Sequence, residues 1–222
     1  MSTQSEENYL KVIYQLASKD VGYINTSDLA SKLDLKPSSV TDMIQKLDQK
    51  RLVQYKKYQG VKLSAKGEKL ALGIIRKHRL WEVFLHETLG FTWDKVHDIA
   101  EQLEHINSTE LIERLDLFLN HPKTDPHGDP IPDKVGRLNQ LNRIRLSQLR
   151  GGEKGVLSGA NDSSSEFLRY LKKRDLTLGT IIKITHFNEF DQSYDLEIGT
   201  ENKTLTISNQ VASNLFISES KP

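Results

Sequence analysis

Lys36-Pro37-Ser38-Ser39-Val40-Thr41-Asp42-Met43-Ile44-Gln45-Lys46-Leu47 decides how this sequence folds. Pro37 suits the first position of a helix, where a backbone N–H has no partner to lose. Val40, Ile44 and Leu47 recur at helical spacing and make one apolar stripe for a helix from Ser38 to about Lys50. Ser38, Ser39, Thr41, Asp42 and Gln45 face outward. Upstream, Asn25-Thr26-Ser27-Asp28 offers N-caps for a short helix through Leu33, and Asp34-Leu35-Lys36 makes the turn between the two. Two short helices joined this way, the second opening on small hydroxyl residues, form a helix-turn-helix pattern.

The flanks extend it. Residues 6–19 read as a helix with Leu10, Ile13, Tyr14 and Ala17 inward, ended by Asp20-Val21-Gly22. Residues 52–57 and 61–64 read as strands around Tyr58-Gln59-Gly60, with Gly60 supplying the positive φ of the hairpin. The whole is a winged helix. Its DNA-facing candidates are Lys36, Ser38, Ser39, Thr41, Asp42 and Gln45, with Lys56, Lys57 and Lys62 of the wing reaching phosphates. None of the helix residues makes the Arg–guanine or Asn–adenine pairing, so specificity leans on shape, water and methyl contacts.

Composition agrees. The chain has 222 residues, 36% hydrophobic and 27% charged, as in ordinary globular proteins. The formal net charge of +1 hides an asymmetry: residues 1–79 hold 15 Lys/Arg against 8 Asp/Glu, and residues 80–135 hold 4 against 12. A basic first block suits a polyanion, and the acidic middle suits cations. With no cysteine, thiolate metal sites and cysteine nucleophiles are excluded, and any metal must be held by His and oxygen donors. No apolar run approaches the roughly 18 residues of a membrane span, and the opening residues lack the basic start of a signal peptide. The expected location is cytoplasmic.

From Ala65 to Leu89 runs one long helical pattern, closed by Gly90, with His78 and Glu82 four apart on one face and His86 a turn further. Residues 95–106 read as an amphipathic helix with Val96, Ile99, Ala100, Leu103 and Ile106 on one side. His97, Glu101, Glu104 and His105 fall within an arc of roughly 100° beside that stripe, the composition of a divalent-metal site or of a solvated face. A further helix runs from Ser108 to about Leu119. Its apolar residues, with Trp81, Phe84, Leu85, Leu89, Phe91 and Trp93, exceed what a small domain needs and suggest a dimer interface. Residues 120–140, with four prolines, are an irregular connection. Beyond it come a turn-and-strand segment at 146–157, a helix at 164–173, strands at 180–185, 194–198 and 205–207, and a closing segment at 212–217. That is a small β-barrel. The fold class is therefore α+β, mainly helical. The domains expected are 1–74, the winged helix-turn-helix; 75–140, a helical metal-binding and dimerisation domain; and 141–222, the barrel.

Arg76-Lys77-His78-Arg79-Leu80-Trp81-Glu82, Lys95-Val96-His97-Asp98 and Glu101-Gln102-Leu103-Glu104-His105 together resemble the diphtheria-toxin-repressor family. So do the Pro37-to-Leu47 segment and Pro126-His127-Gly128-Asp129-Pro130-Ile131-Pro132. The last third resembles the SH3-like, FeoA-type domain of that family's longer members. The resemblance covers nearly the whole chain and implies a metal-dependent transcriptional repressor of metal homeostasis, a homodimer on a double-stranded DNA operator. It implies a regulatory site of Asn8, Glu101, Glu104 and His105. An ancillary site would hold His78, Glu82 and His97, with Glu166 as an added oxygen ligand from the C-terminal domain. Two departures bear on the metal. Glu101 stands where iron-type members place Cys, as in manganese-type members. Asn8 stands where other members use Asp or Met, giving a carbonyl oxygen without charge. Manganese(II) is expected first and iron(II) second, with zinc(II), cobalt(II) or cadmium(II) as surrogates. A metal joining Asn8 to Glu101, Glu104 and His105 would fix the winged helix against the dimer core and select the DNA-binding pose.

Two rivals remain at this point. A metal-independent winged-helix regulator would use the Glu/His face structurally. A metallohydrolase would need a two-His platform, but Glu101-x-x-Glu104-His105 opens on Glu, and no nucleophile elbow or phosphate loop accompanies it. His86, His121, His127 and His186 read as surface or linker residues, with His127 the one within reach of the ancillary group.

Overall fold

The computed structural model describes residues 2–17, 22–200 and 203–219. It divides into two compact units: residues 1–79, 101–113 and 132–138 form one, and residues 80–100, 114–131 and 139–222 the other.

The first unit is built on α1 (Gln4–Ala17), α2 (Thr26–Leu33), α3 (Pro37–Gln49), β1 (Val53–Lys56), β2 (Gly60–Leu63) and the opening of α4 (Ala65–Val83). The expected end of the first helix near Asp20-Val21 lies outside the described residues. Asp34 closes α2 in the left-handed conformation, its N–H returning to Ala30 and Ser31 carbonyls, and Pro37 opens α3 as its spacing implied. Val40, Ile44 and Leu47 are fully buried, joining Leu10, Ile13, Leu29 and Val61 in one core. Burial of each such side chain stabilises by about 1.5–3 kcal/mol. The β1–β2 register runs from Val53 opposite Leu63 to Lys56 opposite Gly60. Ile24 adds a bridge to Val61. Gly60 has φ 111°, and a Cβ there would sit 2.1 Å from the Ile24 carbonyl oxygen, so this position of the wing requires glycine.

Two helices differ from their sequence patterns. The long helix keeps α geometry only to Val83, then widens to a π turn over Phe84–Thr88 before Gly90 (φ 72°). The helix expected over 95–106 is shorter, α5 (Val96–Leu103), and Ile106 N–H turns back to the Leu103 carbonyl. Glu104 and His105 therefore sit in the turn after the helix rather than on its face. Ser108 then caps α6 (Thr109–Phe118) by accepting from Leu111 N–H.

In the second unit the C-terminal part is a six-stranded antiparallel sheet of order β3-β8-β4-β5-β6-β7, comprising β3 (Ile144–Arg145), β4 (Lys154–Ala160), β5 (Ile181–Asn188), β6 (Ser193–Ile198), β7 (Lys203–Ile207) and β8 (Leu215–Ser218). Helix α7 (Ser165–Lys172) is capped by Ser164 and buries Leu168 and Leu171, and α8 (Asn209–Ser213) is capped by Ser208. Trp93 joins this core beside Leu146, Leu157 and Leu196. The class is α+β. Among the described residues no helix is long and apolar enough to cross a membrane.

Candidate metal centre

The outward side of α3 presents Ser38, Ser39, Asp42 and Gln45 to solvent, with Lys36 exposed at its N-cap. Thr41 is half-buried, its hydroxyl donating to the Pro37 carbonyl at 2.9 Å. In the wing, Lys56 and Lys62 lie 5.1 and 5.0 Å from the centre of the Tyr23 ring, and Lys57 lies 5.2 Å from that of Tyr58. Tyr23, not singled out by the sequence, gathers two of the three wing cations around one aromatic ring.

Helix α1 contributes a second face, where Glu7, Asn8 and Lys11 fall within one turn. Glu104 is fully buried. Lys11 Nζ donates to both its oxygens at 2.8 Å and also to Glu101 Oε1. The Lys11 side chain is only 6% exposed. His78 Nδ1 lies 2.5 Å from Glu104 Oε2. The ligand atoms of His78, Glu101 and Glu104 lie within 4.8 Å of one another. His105 Nδ1 is held by Glu7 Oε2 at 2.7 Å, and its Nε2 faces Glu104 Oε1 at 3.8 Å. A ring fixed through one nitrogen by a carboxylate presents the other as a metal ligand. Asn8 Oδ1 is buried and accepts no hydrogen bond among the described residues. A buried orphan oxygen is rare and calls for a partner such as an ion. Three oxygen donors and one imidazole nitrogen fit a divalent cation of the manganese–iron type. The Lys11 ammonium already marks the spot as one that attracts positive charge.

Glu6, beside this face, is fully buried and takes Lys46 of α3 at 3.0 Å and Lys50, the C-cap of that helix, at 2.8 Å. Burial alone would raise its pKa, but the hydrogen bonds from Lys50 and Lys46 outweigh it and hold the carboxyl down to about 2.

The second unit holds its own cluster. The ligand atoms of Glu82, Asp125 and His127, all buried, lie within 4.8 Å of one another. His127 Nε2–H donates to the Trp93 carbonyl at 2.8 Å, and its Nδ1 lies 3.7 Å from Glu82 Oε1. Asp125 Oδ1 accepts the N–H groups of His127 and Asp129, shaping the turn. Burial pushes the His127 pKa down, but Glu82 and Asp125 push it further up, to about 9. Gly128 (φ 84°) lets the turn pass the Ser158 carbonyl, where a Cβ would come within 2.1 Å. His97 Nδ1 lies 3.4 Å from Glu82 Oε1.

The structure thus brings Glu104 to Glu101 and His78 within one cluster and places His105 Nε2 3.8 Å from Glu104 Oε1, with Asn8 an orphan on α1 of the same unit. It brings Glu82 to His97, and His78, one turn before Glu82 on α4, to Glu104. It does not bring Glu166 to a cluster. That side chain is 81% exposed and paired with Arg169, while its neighbour Ser165 turns inward to the Asp94 carbonyl. The sequence reading overlooked Glu7, Lys11 and Asp125. The signal for Glu7 and Lys11 was their helical spacing from Asn8, and for Asp125 its place in Asp125-Pro126-His127-Gly128-Asp129.

Three family models match the chain in series: the iron-dependent repressor N-terminal DNA-binding domain at residues 1–61, the iron-dependent repressor metal-binding and dimerisation domain at 64–133, and the FeoA domain at 144–219. The chain is 39% identical over 125 residues to the HTH-type transcriptional regulator MntR of Oceanobacillus iheyensis, covering 56% of this chain and 84% of that one. It is 35% identical over 183 residues to the diphtheria toxin repressor of Corynebacterium jeikeium, covering 81% and 75%. A solved manganese-dependent transcriptional repressor in complex with manganese superposes with a TM-score of 0.88 at 31% identity, over 97% of this chain and 100% of that one.

Proposed function

The chain belongs to the iron-dependent repressor family, and from that premise we propose that manganese(II), held by Asn8, Glu101, Glu104 and His105, is its regulatory signal. The protein is a metal-dependent, DNA-binding transcriptional repressor and not an enzyme. The observation that carries the metal assignment is the buried Asn8 Oδ1, without a hydrogen-bond partner among the described residues, in the unit that also holds Glu101, Glu104 and His105. The absence of any cysteine thiolate favours manganese over softer late metals, with iron(II) as the competitor.

A bound divalent ion supplies positive charge to Glu101 and Glu104 and an electrophilic partner to the Asn8 carbonyl. The chain's own residues do the rest. Glu7 orients His105 and His78 braces Glu104. On the other side of α1, Glu6 grips Lys46 and Lys50 of the recognition helix, so a constraint on α1 reaches α3. A coupling of about 1–3 kcal/mol changes DNA affinity by roughly 5–150-fold.

In this reading Lys36, Ser38, Ser39, Thr41, Asp42 and Gln45 face the major groove, and Lys56, Lys57 and Lys62 meet phosphates. Glu82 and His97, joined by Asp125 and His127, form a second cation site. The functional division is 1–74 for DNA binding, 75–140 for metal binding and dimerisation, and 141–222 for the SH3-like domain. A family dimerisation domain at 64–133 supports a homodimer. The exposed Leu89, Phe91, Leu117 and Phe118 are apolar side chains of the kind such an interface covers. The protein works in the cytoplasm.

The test is operator-like duplex DNA titrated with protein in manganese, in anaerobic iron(II) or in chelator. Tight binding in manganese, lost on chelation, is expected. Unchanged affinity on chelation would leave a metal-independent regulator. Glu101→Ala and His105→Ala should each abolish metal-activated binding while the dimer persists in sedimentation. Dissociation to monomers would make those residues structural.

A further inference from the structure

Lys11 occupies an unusual place for a lysine. Its side chain is 6% exposed. Its ammonium is held by both oxygens of the fully buried Glu104 at 2.8 Å and by Glu101. An unpaired lysine is almost never buried to this degree. The carboxylates are what keep it there, and Lys11 in turn offsets one of their two charges. We propose that Lys11 is a built-in counter-cation of the regulatory site, seated on Glu101 and Glu104 in the metal-free protein and displaced by the incoming divalent ion.

The inference rests on the reading of Asn8, Glu101, Glu104 and His105 as the metal site, and it follows from the competition for lone pairs. Carboxylate oxygens bind divalent ions at roughly 2.0–2.2 Å. Both Glu104 oxygens and one Glu101 oxygen already accept from Nζ. A divalent ion on those oxygens would stand against a third positive charge in a buried site, where charges interact strongly. The ammonium therefore leaves as the metal enters, and its flexible stem lets the head swing toward water. Two consequences follow. The metal-free site is partly neutralised: the buried Glu104 and the half-buried Glu101 share one cation, which lowers their mutual repulsion. Metal affinity is reduced by the work of expelling Lys11, which sets the metal concentration at which repression begins. Because Lys11 lies one turn from Asn8 on α1, the exchange of cations also changes what that helix is tied to.

Two measurements test this on the full-length protein. First, the wild type is pulse-labelled with acetic anhydride in chelator and in manganese, and acylation at each lysine is read by mass spectrometry. Lys11 should be protected in chelator and become reactive in manganese, while exposed Lys173 stays constant. Equal protection of Lys11 in both, with manganese bound, would overturn the proposal and leave the metal site standing. Second, manganese affinity is measured for Lys11→Met by competition with a chromophoric chelator. It should tighten by about 10- to 100-fold, the scale of a hydrogen bond between charged groups. The metal-free variant should melt lower than the wild type, with a larger rise in Tm on adding manganese. Unchanged or weaker affinity in a folded Lys11→Met variant would overturn the proposal. Should that variant fail to fold, the labelling of the wild type decides alone. Failure of the wild type to bind manganese at all would overturn the site reading and this inference together.

Discussion

Asn8 is where one atom carries most of the consequence. Its Oδ1 is buried with no partner among the described residues, and its side chain brings no charge to a site whose acids are already shared with Lys11. Asn8→Asp should therefore tighten manganese binding by about tenfold, since a charged ligand interacts more strongly with a dication than a neutral carbonyl does. Chelator competition measures it, and the manganese concentration for half-maximal DNA binding should fall in step. An unchanged affinity would mean that residue 8 is not a ligand. Glu104→Gln tests the opposite sign. It leaves Lys11 buried with its main partner discharged, and breaking such a pair costs about 3–5 kcal/mol. The variant should melt well below wild type even in chelator. The contrast shows what single residues reveal in sequence. Glu101, Glu104 and His105 could be suspected because acids and imidazoles cluster in few residues. Lys11 could not, because a lysine on an amphipathic helix reads as solvated until an acid 93 positions away closes over it.

Between elements, the Glu6 contact with Lys46 and Lys50 adds a charged link between α1 and the C-terminal end of α3 to the core they share. Glu6 ordinarily titrates near 4.5 and is held here at about 2. Its contribution to stability is therefore fully present above about pH 4.5 and is lost as the pH falls toward 2. Glu6→Gln should lower stability by about 1–2 kcal/mol at neutral pH and flatten that acid limb, as urea titrations at pH 7 and pH 3 would show. It should also weaken the response of DNA binding to manganese while metal affinity itself stays near wild type. A lost metal affinity would place Glu6 in the site rather than in the link. At this scale the sequence was most legible where one face is buried, as in α3, whose Val40, Ile44 and Leu47 stripe set both its limits and its orientation. It was least legible where tertiary contacts override periodicity. The apolar stripe of residues 95–106 continues past Leu103, but the backbone does not, because Ile106 turns back to the Leu103 carbonyl and Ser108 starts the next helix. The two-residue strand β3 and the five-residue α8 are too short to produce a period at all.

Over the whole molecule the excess of cations in residues 1–79 has to be reconciled with a formal net charge of only +1. Affinity for DNA then depends on where cations stand rather than on total charge, and each phosphate neutralised steepens the fall of affinity with salt by about 0.9 in a log–log plot. Lys56 and Lys62, each about 5 Å from the centre of the Tyr23 ring, are the phosphate contacts we propose. Lys56→Ala should reduce that slope by about one for each protomer engaged, with little change in preference between DNA sequences. The metal would act differently. Held as proposed among Asn8, Glu101, Glu104 and His105, it would shift the population toward a binding-competent arrangement rather than add a phosphate contact. Chelation should therefore lower operator affinity by about 5- to 150-fold at every salt concentration tested. The two plots of log affinity against log salt should run parallel. Fluorescence anisotropy between about 50 and 200 mM salt, where phosphate contacts dominate the slope, is sufficient to draw both lines. A slope that steepens when manganese is added would mean that metal recruits new phosphate contacts. The conformational reading of the switch would then fail, even with the metal site itself intact.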